Sequence, residues 1–131
     1  MLEQSHASAQ RLVHLLADAE LTAATCESLT GGLVGATITS VPGSSAIFRG
    51  GLITYASDLK TVLAGVDADW IDEHGVINAM TARQMATGCA QACQAGLGLA
   101  CTGVAGPDRQ DGQRPGTVHI AVAHDAQVFT R

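Results

Sequence analysis

Lysine is nearly absent from this sequence: six of the seven basic residues are arginine, and Lys60 stands alone. Aromatic residues are scarce as well, at 3% of 131 residues, so the core has to be assembled from alanine, valine, leucine and isoleucine. Charged side chains make up 15% against 47% hydrophobic, a balance that excludes an intrinsically disordered chain. Seven scattered basic residues under a formal net charge of −5 leave no electrostatic footprint for nucleic acid or an anionic membrane. No stretch approaches the roughly 18 consecutive apolar residues of a membrane span. Glu3, Gln4 and His6 stand where a signal peptide would be basic and then apolar, so a cytoplasmic protein is expected. In that compartment Cys26, Cys89, Cys93 and Cys101 read as free thiols rather than a disulfide frame. Cys89 and Cys93, four apart on a predicted helix, could share a metal, but no third ligand stands at a recognisable spacing. Small buried thiols are the simpler reading, and no metal is expected.

What is present is a single domain's length of alternating helix and strand signals. Ala9, Leu12, Leu16 and Ala19 recur at helical spacing over Ser5 to Ala19, with Val13 and Leu15 widening the stripe and His14 opposite it. Leu21 to Thr25 reads as a short central strand, followed by a helix from about Thr30 to Ser40 that Val41-Pro42-Gly43 stops. A second strand is predicted over Ile47 to Tyr55, where Gly50-Gly51 signals a bulge or a close backbone approach. Ser57 to Ala64 is a short helix ended by Gly65, and Asp67 to His74 is a helical turn stopped by Gly75. Asn78 can cap a longer helix whose inward face is Ala82, Met85, Ala86, Cys89 and Cys93. Leu97 to Cys101 is a buried strand that runs into the glycine-rich corner Thr102 to Pro107. Asp108 to Pro115 is a polar, turn-rich exposed loop, and strands follow at Thr117 to Ala123 and Gln127 to Thr130. Strands separated by helices, then consecutive strands joined by short turns, give a three-layer α/β/α domain with a mixed β-sheet. Ligands of such sheets bind beyond the carboxyl ends of the strands, where both Ser28 and the Thr102–Pro107 corner fall.

The chemistry concentrates between Cys26 and Lys60. Ser28 sits at a strand-to-helix corner, where capping is one role for a serine and nucleophilic attack is another. Lys60 weighs toward attack. A guanidinium cannot give up its proton in a protein, whereas a desolvated lysine amine can, so the lone lysine is the candidate base for Ser28. Tyr55, the lone tyrosine, could relay the proton or steady the amine. Free N–H groups around Thr30 and Gly31 are the candidate donors to an oxyanion. The Thr102–Gly106 corner could cradle a phosphate, although Gly103 and Gly106 lack the lysine and third glycine of a known nucleotide fingerprint. His74, His119 and His124 share no metal spacing.

These pieces together resemble the CinA C-terminal domain family. The likeness is carried by Glu27-Ser28 with Thr30-Gly31-Gly32, Val41-Pro42-Gly43-Ser44-Ser45, Phe48 with Gly50-Gly51, Thr54-Tyr55, Lys60 and Leu63-Gly65-Val66. It continues through His74-Gly75, Thr102-Gly103, Ala105-Gly106-Pro107 and Gly116-Thr117-Val118, covering nearly the whole chain. The resemblance implies a nicotinamide-nucleotide amidase, converting nicotinamide mononucleotide to nicotinic acid mononucleotide and ammonia without a cofactor. It places the nucleophile on Ser28, the tyrosine and lysine on Tyr55 and Lys60, and the ligand corner on Thr102, Gly103, Ala105 and Gly106. Glu27, Thr30 and Gly31 join the substrate-binding set, and a homodimer acting on a small nucleotide is expected. Three departures stand out. Leu29 replaces a usual cysteine, Asp108-Arg109 replace a glycine-rich continuation, and the chain stops at Arg131, where relatives continue into a final helix. A missing helix would leave apolar sheet surface exposed, and the absence of the amino-terminal CinA domain implies a stand-alone form. The competing expectation is a non-catalytic nucleotide-binding or interaction module on the same scaffold.

Overall fold

The computed structural model describes residues 2–131. Its elements, in order, are α1 (Leu2–Asp18), β1 (Ala23–Glu27), α2 (Leu33–Thr39), β2 (Phe48–Ile53), α3 (Ser57–Ala64), α4 (Ala68–His74), α5 (Ala79–Ala92), β3 (Leu97–Gly103), β4 (Val118–His124) and β5 (Gln127–Thr130). A single 3₁₀ turn, Ser44–Ala46, precedes β2. The strands lie in the order β2-β1-β3-β4-β5. β1 runs parallel to both β2 and β3, while β4 and β5 add antiparallel hairpin strands on one side. The sheet is therefore mixed, as the succession of connections implies.

Helices cover both faces, and the strand alternation decides which residue meets which helix. On one face α1 and α2 bury Ala9, Val13, Leu16 and Ile38 against Ala23, with Leu97 and Leu99 packed alongside. On the other, α3 and α5 bury Ala64, Ala82, Met85, Ala86 and Cys89 against Ala24, Cys26, Ala100, Ala121 and Ala123. Small residues let α5 approach closely: a side chain at Gly88 would run into the Ala64 carbonyl, and one at Gly98 into that of Ala86. This tight packing is how a core with so few aromatic rings stays filled.

Several boundaries differ from the sequence expectation, each for a local reason. α1 starts at Leu2 and ends at Asp18, where Glu20 takes a left-handed φ of 55° and the Leu21 N–H bonds back to Leu16. Leu15, expected to widen the buried stripe, is 63% exposed, whereas Val13 is buried. β1 begins two residues later than predicted and runs on through Glu27, all five of its residues buried. In β2 the register steps from Ala23↔Phe48 to Ala24↔Gly50, which bulges Arg49 out beside the glycine pair. α3, the Asp67 turn and the Asn78 cap fall where predicted; Asn78 Oδ1 accepts the Thr81 N–H at 2.8 Å. Cys93 lies just past α5 and is only half-buried.

The α1/α2 layer stops short of the hairpin. Pairing of Leu99 with Val122, and of Val122 with Phe129, puts those three on the α1 side. There Val118, Ile120 and Phe129 are 43%, 44% and 62% exposed. Beneath them a cavity of ≈ 190 Å³ is lined by Val34, Leu99, Ile120 and Val122 among others.

Candidate active site

The carboxyl ends of β1, β2 and β3 meet at one edge of the sheet, and Ser28 follows directly on β1. Its N–H donates to the Cys101 carbonyl at 3.2 Å, holding the chain against β3 for one residue past the strand. Its own carbonyl accepts the Gly31 N–H at 3.1 Å, closing a tight turn. Gly31 and Gly32 then take φ of 61° and 107°, a left-handed pair open only to glycine at little cost. This turn replaces the first helical turn expected from Thr30, and α2 begins only at Leu33.

Lys60 projects from the first turns of α3 to the same place and is 1% exposed. Its Nζ lies 3.0 Å from Ser28 Oγ, 2.7 Å from the Thr54 carbonyl and 3.5 Å from the Tyr55 carbonyl. None of these partners is charged. Burial therefore pushes the amine below the ordinary lysine range; Cys26, Asp111 and Cys101 act in the opposite direction. The two carbonyls can only accept, so in the neutral amine they take its two N–H groups and leave its lone pair facing the serine hydroxyl. Cys26, hydrogen-bonded to the Thr54 hydroxyl, stays a thiol, burial pushing it up to about 11.

Tyr55 reaches Lys60 only through its backbone. Its side chain is 70% exposed, and the phenol makes no hydrogen bond among the described residues, so a relay through the phenol has no geometric basis here. Glu27, expected to bind substrate, is turned into the protein at 2% exposure. Its Oε1 accepts the Thr30 hydroxyl at 2.7 Å and the Val34 N–H at 2.8 Å, and its Oε2 accepts the Gly35 N–H at 2.9 Å. The carboxylate thus caps α2 from the preceding strand, next to Ser28 in sequence. That changes which N–H groups are free. Gly31 donates to Ser28, while Leu29, Thr30 and Gly32 donate to no acceptor among the described residues. The Thr30 hydroxyl is fixed by Glu27 and lies 3.1 Å from Cys101 Sγ.

The ligand corner divides in two. Thr102 is fully buried and donates its hydroxyl to the Val76 carbonyl at 2.9 Å, and Gly103 is pressed against the Thr117 backbone, so neither side faces a ligand. Ala105 and Gly106 are exposed, Gly106 with a φ of 89°, and their N–H groups have no acceptor among the described residues. The loop that follows is ordered into a small hairpin: Gln110 and Gln113 bridge across Asp111-Gly112, whose φ values are 50° and 74°. No cluster of three potential metal ligands occurs among the described residues, and Cys89 and Cys93 find no third partner. Sequence reasoning placed Glu27 in the substrate-binding set and missed its role as a cap of α2, and it did not single out Asp111 at all. Asp111 carried one cue, the Asp-Gly pair of a type I′ turn.

Comparison with known proteins agrees with the fold and with the motif pattern. The model of the CinA C-terminal domain matches residues 5–131. A putative competence-damage inducible protein of Limosilactobacillus fermentum is 45% identical over 115 residues, which are 88% of this chain and 28% of that protein. A CinA-like protein of Frankia casuarinae is 43% identical over 117 residues, 89% of this chain and 27% of that one. The chain thus spans a little over a quarter of the length of these relatives. Among solved structures, a competence/damage inducible protein from Agrobacterium tumefaciens superposes with a TM-score of 0.91 at 32% identity, covering 97% of this chain and 78% of that one. A CinA superfamily protein from Klebsiella pneumoniae gives 0.92 at 26% identity, covering 97% and 80%.

Proposed function

This chain belongs to the CinA C-terminal domain family, and we propose that it is a serine amidohydrolase whose substrate is the carboxamide of nicotinamide mononucleotide. One observation carries the reading: a fully buried amine, with no carboxylate bonded to it, stands 3.0 Å from the hydroxyl of Ser28. A structural lysine is buried with a counter-ion; one surrounded by carbonyls and a hydroxyl is suited to hold and release a proton.

In this mechanism Lys60 removes the Ser28 proton as Oγ attacks the carboxamide carbon. The tetrahedral oxyanion is met by the unbonded N–H groups of Leu29 and Thr30, and loss of one such donor costs about 3–4 kcal/mol in comparable enzymes. The lysine proton passes to the departing nitrogen, the C–N bond breaks, and ammonia leaves an ester on Ser28. Water, deprotonated by the same amine, cleaves that ester to the carboxylic acid and restores the serine. The free N–H groups of Ala105 and Gly106 are the proposed contacts for the nucleotide phosphate.

A binding module without turnover is the second reading, favoured by the low exposure of Ser28, 6%. One experiment separates the two: ammonia release from nicotinamide mononucleotide by the wild type, Ser28→Ala and Lys60→Ala. Release by the wild type, reduced by roughly 10²-fold or more in both variants, is the expected result. Equal nucleotide binding by all three with no ammonia from any would leave the binding module standing.

A further inference from the structure

We propose that Asp111 is a positioning residue of the Ser28–Lys60 pair: its carboxylate latches the 110–113 hairpin to the Val76 N–H and fixes a negative charge within electrostatic reach of the amine. The inference rests on the amidohydrolase reading only for its catalytic consequence.

The latch is a specific contact. Asp111 Oδ2 accepts the Val76 N–H at 2.8 Å, thirty-five residues away in sequence. The neighbouring residue makes room for it: a Cβ at Gly75 would lie 2.5 Å from the same carboxylate oxygen, and Gly75 has a φ of 75°. Val76 is itself a junction. Its carbonyl accepts the buried Thr102 hydroxyl at 2.9 Å, and the residue before Thr102 accepts the Ser28 N–H through its carbonyl. A continuous run of contacts therefore leads from Asp111 through Val76, Thr102 and Cys101 to Ser28, whose Oγ meets Lys60.

The charge acts directly. The groups that bear on the Lys60 amine are Cys26 from β1, Cys101 from β3 and Asp111 from the hairpin, with the Ser28 hydroxyl and the Thr54 and Tyr55 carbonyls in contact. Of these, Asp111 alone is a carboxylate. It favours the ammonium form and so restrains the effect of burial, keeping the amine able to carry a proton between hydroxyl and leaving group. Asp111 also sits at a left-handed φ of 50°, which aspartate, asparagine and glycine accept more readily than other residues. Asp111→Asn keeps an acceptor for Val76 and removes the charge. Asp111→Gly removes both without straining the turn.

Because Lys60 is the only lysine, protein labelled with ¹³C-lysine gives one side-chain signal whose titration reports this amine directly. The titration midpoint is expected to move to lower pH in both Asp111→Asn and Asp111→Gly. The Val76 amide is expected to exchange slowly in the wild type and in Asp111→Asn, and quickly in Asp111→Gly. In ammonia release, Asp111→Asn should carry the acid limb of kcat/KM to lower pH, and Asp111→Gly should lose about tenfold or more in kcat/KM as the pair loosens. An unchanged lysine titration in Asp111→Asn, or slow Val76 exchange in Asp111→Gly, would overturn the proposal. If the wild type releases no ammonia, the amidohydrolase reading fails while the titration and exchange still decide the role of Asp111.

Discussion

A buried amine whose direct partners are all uncharged acceptors has a definite pH signature. Burial lowers the affinity of Lys60 for its proton, so the neutral base becomes populated at a lower pH than in a free lysine. Under the proposed mechanism kcat/KM rises with pH through that titration and levels off before 10.5, the ordinary lysine value. Tyr55 gives a sharper contrast. Its spacing from Lys60 made it a natural proton relay on paper, because sequence distance along a strand-to-helix link shows proximity of backbones and not the direction of a ring. With the phenol 70% exposed and unbonded, Tyr55→Phe should keep ammonia release within about twofold of the wild type. A loss of 10²-fold would mean that the ring turns inward once substrate is bound.

At the scale of elements, the junction between β1 and α2 depends on Glu27. The short uncharged strand and the helix after it placed the junction to within two or three residues, but neither signal describes a carboxylate that leaves a strand to cap the next helix. The amphipathic pattern fixes which face of α2 is buried; it does not say that two left-handed glycines take up the first turn. Glu27→Gln tests the cap. An amide presents one acceptor where the carboxylate presents two, so one of the Val34 and Gly35 N–H groups would face an NH₂. Loss of that bond should destabilise the protein by about 1–3 kcal/mol, read as a lower denaturant midpoint at unchanged slope. Ammonia release should fall too, because Ser28 is held between this cap and the Cys101 carbonyl.

For the molecule as a whole, the packing was more legible than the site. Helical spacing of the apolar residues and short uncharged strand runs carry the layers, and the stop signals Val41-Pro42-Gly43 and Gly65 mark real ends. Thr102 shows the limit: a threonine beside glycines reads as a ligand corner, and only the fold reveals the buried Val76 carbonyl that it meets. The same dense core makes the protein sensitive to alkali. Burial pushes the thiols of Cys26 and Cys89 from 9.0 up to about 11 and about 12. Their contribution to stability is complete below pH 9, where both states are protonated, and is lost as the pH rises through the folded values. Lys60 works the other way, since the folded protein releases its proton at a lower pH than the unfolded chain, which holds it up to about 10.5. Two thiols outweigh one amine above pH 9. Each thiol costs about 2 kcal/mol by pH 10.5, so the denaturant midpoint should drop between pH 8 and 10.5, and Cys89→Ala should flatten that drop.

The burial of Lys60 leaves the folded surface without a single side-chain amine. Acylating reagents such as N-hydroxysuccinimide esters then find no lysine to modify until the edge of the sheet around Ser28 comes apart. The rate at which an adduct appears on that residue becomes a clock for local opening, readable by mass from a single peptide. A ligand seated over Ser28 would slow the clock in proportion to its occupancy, which gives a measure of engagement that needs no turnover at all.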